Sequence, residues 1–126
     1  MTLYEAMGSS AGVQALVDDF YHRMQHDPRF AYLLSVHPGD LARPRDRLFK
    51  YLTGWTGGPP LFVEEFGHPR LRARHLQVAI DIRGRDQWLE CMQAALNACI
   101  ARAEARTALW EGLVPLADHM RNVPEA

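Results

Sequence analysis

The side chains of this sequence whose types could do chemistry are six histidines, two cysteines and a few aromatics with polar tips. Helical phase separates the histidines. His22 and His26 stand four apart, a spacing that puts two imidazoles on one helix face and can clip a metal. They lie off the apolar stripe of Val13, Leu16, Val17 and Phe20, and no carboxylate or third ligand completes a site, so a solvated face accounts for them. His119, beside Asp118, is assigned no role. His75 differs: four residues after Leu71, it shares that residue's inward face, while Arg70, Arg72 and Arg74 can point elsewhere. A histidine facing an apolar interior needs a reason, and in an arbitrary helical protein the first is a neutral core imidazole bonded through both nitrogens. Cys91 and Cys99 are eight apart in one expected helix, about 12 Å at the helical rise and too far for a disulfide. Neither has a CxxC partner or a histidine at a zinc-like interval, so both read as small helix-face residues.

The elements that must position these groups are helices. Val13, Leu16, Val17, Phe20, Tyr21 and Met24 form an i, i+3, i+4, i+7 stripe, with Ser9 or Ser10 as cap. Asp27-Pro28 closes that helix, residues 29 to 35 add a turn or two, and His37-Pro38-Gly39-Asp40 reads as a turn. Leu48, Tyr51, Leu52 and Trp55 repeat the stripe, with Pro44 tolerable in the first turn and Gly57-Gly58-Pro59-Pro60 as the stop. Residues 61 to 68 read as a loop or a short turn of helix, Pro69 starts a brief helix through His75, and residues 76 to 84 show no sustained period. Trp88, Cys91, Met92, Ala95, Leu96, Cys99 and Ala103 make one long apolar face, and Leu109, Trp110, Leu113, Val114, Ala117 and Met120 another. Nothing alternates at period two. The class is all-α, with roughly five helices. About 25 residues separate the second strong helix from the third, and so long a connection in a compact domain points to function rather than mere linkage.

The 126 residues, 48% of them hydrophobic, suit one domain spanning residues 1–126. With 14 Lys plus Arg against 15 Asp plus Glu, the net charge of -1 supplies no pull toward nucleic acid or an acidic membrane. No basic leader precedes an apolar stretch and no run is long enough to span a bilayer, so a soluble, cytoplasmic protein is expected.

From Gly57 to Met92 the chain reads GGPPLFVEEFGHPRLRARHLQVAIDIRGRDQWLECM. This closely resembles the group II truncated haemoglobins, which carry Gly-Gly-Pro after the distal helix, then Gly-His-Pro-Arg-Leu-Arg-x-Arg-His, then Arg-Asp-x-Trp-Leu-x-Cys-Met. The matching residues are Gly57-Gly58-Pro59, Gly67 to His75 and Arg85 to Met92, and the likeness extends to LVDDFY at residues 16 to 21 and over nearly the whole chain. What the resemblance implies is a truncated globin fold, a bacterial-type shortened globin with two antiparallel helix pairs crossed around a haem b (iron protoporphyrin IX). It makes His75 the axial iron ligand and places Tyr21, His37 and Trp88 on the distal side.

Those residue types fit the implied chemistry. A diatomic ligand that draws electron density from iron is held by donors aimed at it in a dry pocket. Tyr21 has a hydroxyl, Trp88 an indole N–H, and His37 a donor on one ring nitrogen, or on both when protonated. By position, Leu48, Leu52, Leu71, Val78, Ile80 and Met92 are expected to line the haem, with Tyr51 on the distal helix face, and Arg47 and Arg74 are candidates for the propionates. The chain departs from the family pattern at Pro44, where a small residue is common, and at Ser9, where a Gly-Gly pair is usual. It departs again at Phe62, which lacks a tyrosine hydroxyl, and at Leu76-Gln77-Val78, where Pro and Phe often occur.

The resemblance implies O2, CO, NO or peroxide as ligands, and three distal donors favour retention with redox chemistry, NO dioxygenation or peroxide reduction, over O2 delivery. No flavin or nicotinamide fingerprint is present, so an external reductase is expected. The alternative is a non-catalytic module that senses or buffers O2 or NO. Monomer and homodimer both remain open.

Overall fold

A computed structural model describes the chain except for Pro38, Gln77, Glu125 and Ala126. The described residues form eight α-helices and one 3-10 turn, with no strand among them. They are α1 (Leu3–Ala6), α2 (Ser9–His26), the 3-10 turn (Pro28–Phe30), α3 (Ala31–Ser35), α4 (Ala42–Trp55), α5 (Leu61–Phe66), α6 (Leu71–His75), α7 (Ile82–Cys99) and α8 (Ala103–His119). None is long and apolar enough to cross a membrane. The expected turn at residues 37 to 40 and the variant segment 76 to 78 each include one residue, Pro38 and Gln77, outside the described set.

The strong stripes are where periodicity puts them, except that α7 stops at Cys99 and Ala103, expected on its face, is exposed at the start of α8. α2 buries Val13, Leu16, Val17, Phe20, Tyr21 and Met24, and packs on α4 and α7, while α7 packs on α8. The buried face of α7, Cys91, Met92, Ala95 and Leu96, meets Leu109 and Leu113 of α8 in the same core. Burying a side chain of this size fully stabilises the fold by about 1.5–3 kcal/mol, so this packing rather than helix propensity holds the long helices together.

The differences lie at helix ends. α2 starts after Gly8, which takes a left-handed φ of 101°, and no serine side chain caps it. α1, too short to show a period, is fixed by a capping box in which the Thr2 side chain accepts from the Glu5 N–H and the Glu5 carboxylate accepts from the Thr2 N–H. α1 and α2 meet so closely that a Cβ at Gly12 would sit 1.8 Å from the Met7 carbonyl oxygen. α7 begins at Ile82, before its apolar face starts, because Asp81 caps it by accepting from the Gly84 N–H at 2.8 Å. α8 runs through Pro115, whose ring is exposed.

Candidate haem site

His75 ends α6, and its Nδ1 lies 2.6 Å from the carbonyl oxygen of Leu71, one turn back. A carbonyl only accepts, so Nδ1 carries the proton and Nε2 keeps its lone pair, with no partner among the described residues. A core histidine bonded through both nitrogens does not have this geometry. A backbone carbonyl on one nitrogen with the other left open is the arrangement that ligation requires. His75 supplies a single nitrogen, and no group of three His, Cys, Asp or Glu side chains among the described residues could hold a bare ion. One protein ligand suffices for an iron already held by a porphyrin, so the donor set fits a haem.

Tyr21 on α2 and Trp88 on α7 are linked through Phe20, whose ring stands edge-on at 5.1 Å from Tyr21 and 5.3 Å from Trp88. Tyr21 is only 4% exposed, and burial pushes its hydroxyl pKa up, opposed by the nearby Arg45 guanidinium, so the hydroxyl stays protonated. Neither that hydroxyl nor the Trp88 indole N–H has a hydrogen-bond partner among the described residues. No sealed side-chain polar atom among them lacks a partner, so both polar tips open onto space rather than onto packed protein.

His37 follows α3, and its Nδ1 lies 2.8 Å from the Leu33 carbonyl oxygen. Burial lowers its pKa, the Leu33 contact works against that, and His75, within electrostatic reach, lowers it further. Neutral His37 therefore carries its one proton on Nδ1, committed to Leu33, and presents Nε2 as an acceptor. The expectation of a third donor changes accordingly: His37 Nε2 donates only when the ring is doubly protonated. The Leu33 N–H in turn donates to Gln87 Oε1 at 3.0 Å, so the residue beside Trp88 anchors the backbone that orients His37. Gln87 carried no local signal, since its partner is 54 positions away.

Of the expected wall residues, Tyr51 and Leu71 meet along a cleft of about 380 Å³ that Leu116 and Met120 also line. Leu48, Val78 and Ile80 are half-buried, whereas Leu52 and Met92 are fully enclosed in the core and back the wall instead of facing an opening. Arg74 Nε donates to the Pro69 carbonyl at 2.6 Å and Nη2 to that of Phe66 at 3.1 Å, with the guanidinium 5.2 Å over the Phe62 ring. Arg47 lies 5.0 Å over the Phe66 ring. Both expected propionate partners thus tie their helices to α5, and Phe62, without a hydroxyl, serves as a stacking surface for Arg74. His22 and His26, with ring centroids 4.5 Å apart, are exposed, and both cysteines are free thiols.

The bacterial-like globin family matches residues 2–122. Group 2 truncated hemoglobin YjbI of Bacillus subtilis (strain 168) is 41% identical over 123 residues, 98% of this chain and 90% of that protein. The group II 2-on-2 hemoglobin of Agrobacterium tumefaciens superposes with a TM-score of 0.95 at 43% identity, over 97% of this chain and 95% of that one. The truncated oxygen-avid haemoglobin of Bacillus subtilis superposes with a TM-score of 0.88 at 38% identity, over 97% and 100%. The fold is the 2-on-2 globin, with two helix pairs crossed over one another. Haem-based binding of diatomic gases comes with such a fold and such relatives, and the chain belongs to the bacterial-like globins as a group II truncated haemoglobin.

Proposed function

We propose that the protein retains O2 on a non-covalently held haem b and carries out redox chemistry on its bound ligand, in preference to delivering O2. The observation that carries this reading is the pair of unpartnered donors, the Tyr21 hydroxyl and the Trp88 N–H; the family resemblance adds His37, whose Nε2 is a proton acceptor. When bound, the haem supplies an iron that takes a diatomic gas or a peroxide and changes oxidation state. His75 would hold that iron through Nε2, with the Leu71 carbonyl on Nδ1 fixing the orientation of the ring. Tyr21 and Trp88 would donate to a bound ligand that has gained negative charge, each bond contributing about 1 kcal/mol, or about fivefold in affinity. His37 Nε2 can take a proton from a peroxide O–H and return it once the ring is doubly protonated. The resemblance to an oxygen-avid haemoglobin supports retention.

Nitric oxide, dioxygen and one electron balance to nitrate. Hydrogen peroxide, two electrons and two protons balance to two waters. Either reaction draws its electrons from a partner reductase. Stopped-flow mixing of the oxygenated protein with nitric oxide tests the first: loss of the oxygenated spectrum must outrun the non-enzymatic control, and equal rates reject dioxygenation. O2 release on the millisecond scale rejects retention. A His75→Ala variant with an unchanged ferrous carbonyl spectrum rejects the assigned ligand.

A further inference from the structure

Beyond α8 the chain turns back toward the segment that leaves α6, and one side chain there meets its backbone repeatedly. Asn122 Nδ2 donates to the carbonyl of His75 at 3.0 Å and to that of Val78 at 2.8 Å. Its Oδ1 accepts from the Ile80 N–H at 2.9 Å, and its own backbone N–H donates to the Ile80 carbonyl at 2.9 Å. The amide can sit only this way round, since a flip would face its oxygen toward two carbonyls and its NH2 toward an N–H.

α6 needs such a tether. It has five residues, none of them buried, and a helix of that length has no independent stability. Carbonyls at and just past a helix end lack the regular i+4 partner, and here that of His75 accepts a turn bond from the Val78 N–H at 3.1 Å. Asn122 occupies two of them, and the neighbouring chain is fixed in turn: Arg121 Nε and Arg85 Nη1 both donate to Asp118 Oδ1, at 2.9 and 2.5 Å, which ties the end of α8 to α7.

We infer that Asn122 is a positioning residue for the proximal ligand. Leu71 holds His75 by its ring and Asn122 holds it by its carbonyl, so the direction of Nε2 is set from both ends of the residue. The inference rests on His75 being the axial ligand.

The test uses the haem-loaded protein and the variants Asn122→Ala, which loses all three side-chain bonds, and Asn122→Asp, which keeps the acceptor for Ile80 but turns a carboxylate oxygen toward two carbonyls. Resonance Raman of the ferrous five-coordinate form reads the iron–histidine stretch, and transfer of haemin to an acceptor apoprotein reads retention. A shifted or broadened stretch in both variants, with haemin loss about tenfold faster for Asn122→Ala, supports positioning. An unchanged stretch with loss rates within about twofold of the parent overturns it, because a merely structural contact moves the urea midpoint without moving that band. If neither variant folds, hydrogen exchange on the unmodified protein decides: protection of the Ile80 amide supports the clamp, and exchange at the unstructured rate overturns it. His75→Ala separates the two failures. A stretch surviving that substitution rejects the ligand itself, while loss of the stretch there with no change in the Asn122 variants rejects only the positioning.

Discussion

At the scale of single residues, Tyr21 and Trp88 differ from ordinary core aromatics in what their polar atoms lack. A buried tyrosine normally bonds its hydroxyl, and this one has no protein partner among the described residues. Tyr21→Phe is therefore expected to leave the stability of the haem-free protein within about 0.5 kcal/mol of the parent, while raising the O2 dissociation rate about fivefold. Thermal melts and stopped-flow dissociation check the two halves separately, and a large loss of stability would return Tyr21 to a packing role. His37 gives a pH signature. Its pKa is held below the ordinary histidine value, chiefly by burial, so the ring is neutral at pH 7 and gains a donor on Nε2 only as pH falls below about 6.5. O2 release should slow in that acid range, and His37→Phe should flatten the profile. A parent profile flat from pH 5 to pH 8 (roughly the range in which histidine titrates) would remove His37 from the distal site.

At the scale of elements, helix ends do the positioning. Asp81 caps α7 through Gly84 and also accepts the Tyr32 hydroxyl at 2.6 Å, joining the start of the Trp88 helix to α3, which leads to His37. The Tyr32 hydroxyl first, then the Gly84 N–H, hold the Asp81 carboxyl below the usual range. A depressed carboxylate pKa contributes stability that is complete above the unfolded value of about 3.9 and is lost as pH falls through the folded value. Asp81→Ala is expected to cost about 1–2 kcal/mol at pH 7, with the difference from the parent shrinking as the solution is acidified below about pH 4. Urea midpoints at the two pH values measure it. Gly12 is the second element-level constraint. A methyl there meets the Met7 backbone, which has no flexible end to yield, so Gly12→Ala should destabilise by about 1–3 kcal/mol despite the better helix propensity of alanine.

For the whole molecule, the long helices share one core while α6 has no buried residue of its own. Haem should therefore stabilise the protein by mass action and most of all protect the segment from α6 to Ile80. Hydrogen exchange compared between haem-free and haem-loaded protein should show the largest gain in residues 71 to 80 and little in the α2 stripe. Uniform gain along the chain would argue that haem acts only through global stability.

His75 and Trp88 were legible as candidates because each lies in the contiguous motif from Gly57 to Met92, and Tyr21 because it ends the separate LVDDFY match on the α2 stripe; motif and stripe are both local patterns. The long helices were legible for the same reason: a period of 3.6 shows once a segment covers several turns. α1 and the start of α7 were not, because they depend on caps rather than periodicity. What only the tertiary structure decided is which atoms of the site are free. The proton on His37 is fixed by Leu33, the Leu33 backbone by Gln87, and the carbonyl of His75 by Asn122, and the last two partners are 54 and 47 positions apart. Hydrogen bonds across such separations leave no period in the sequence. They exist only once the core has brought α3, α6, α7 and the end of α8 together, so the residue types proposed for the haem site were readable in the chain, and their hydrogen-bonding partners had to wait for the fold.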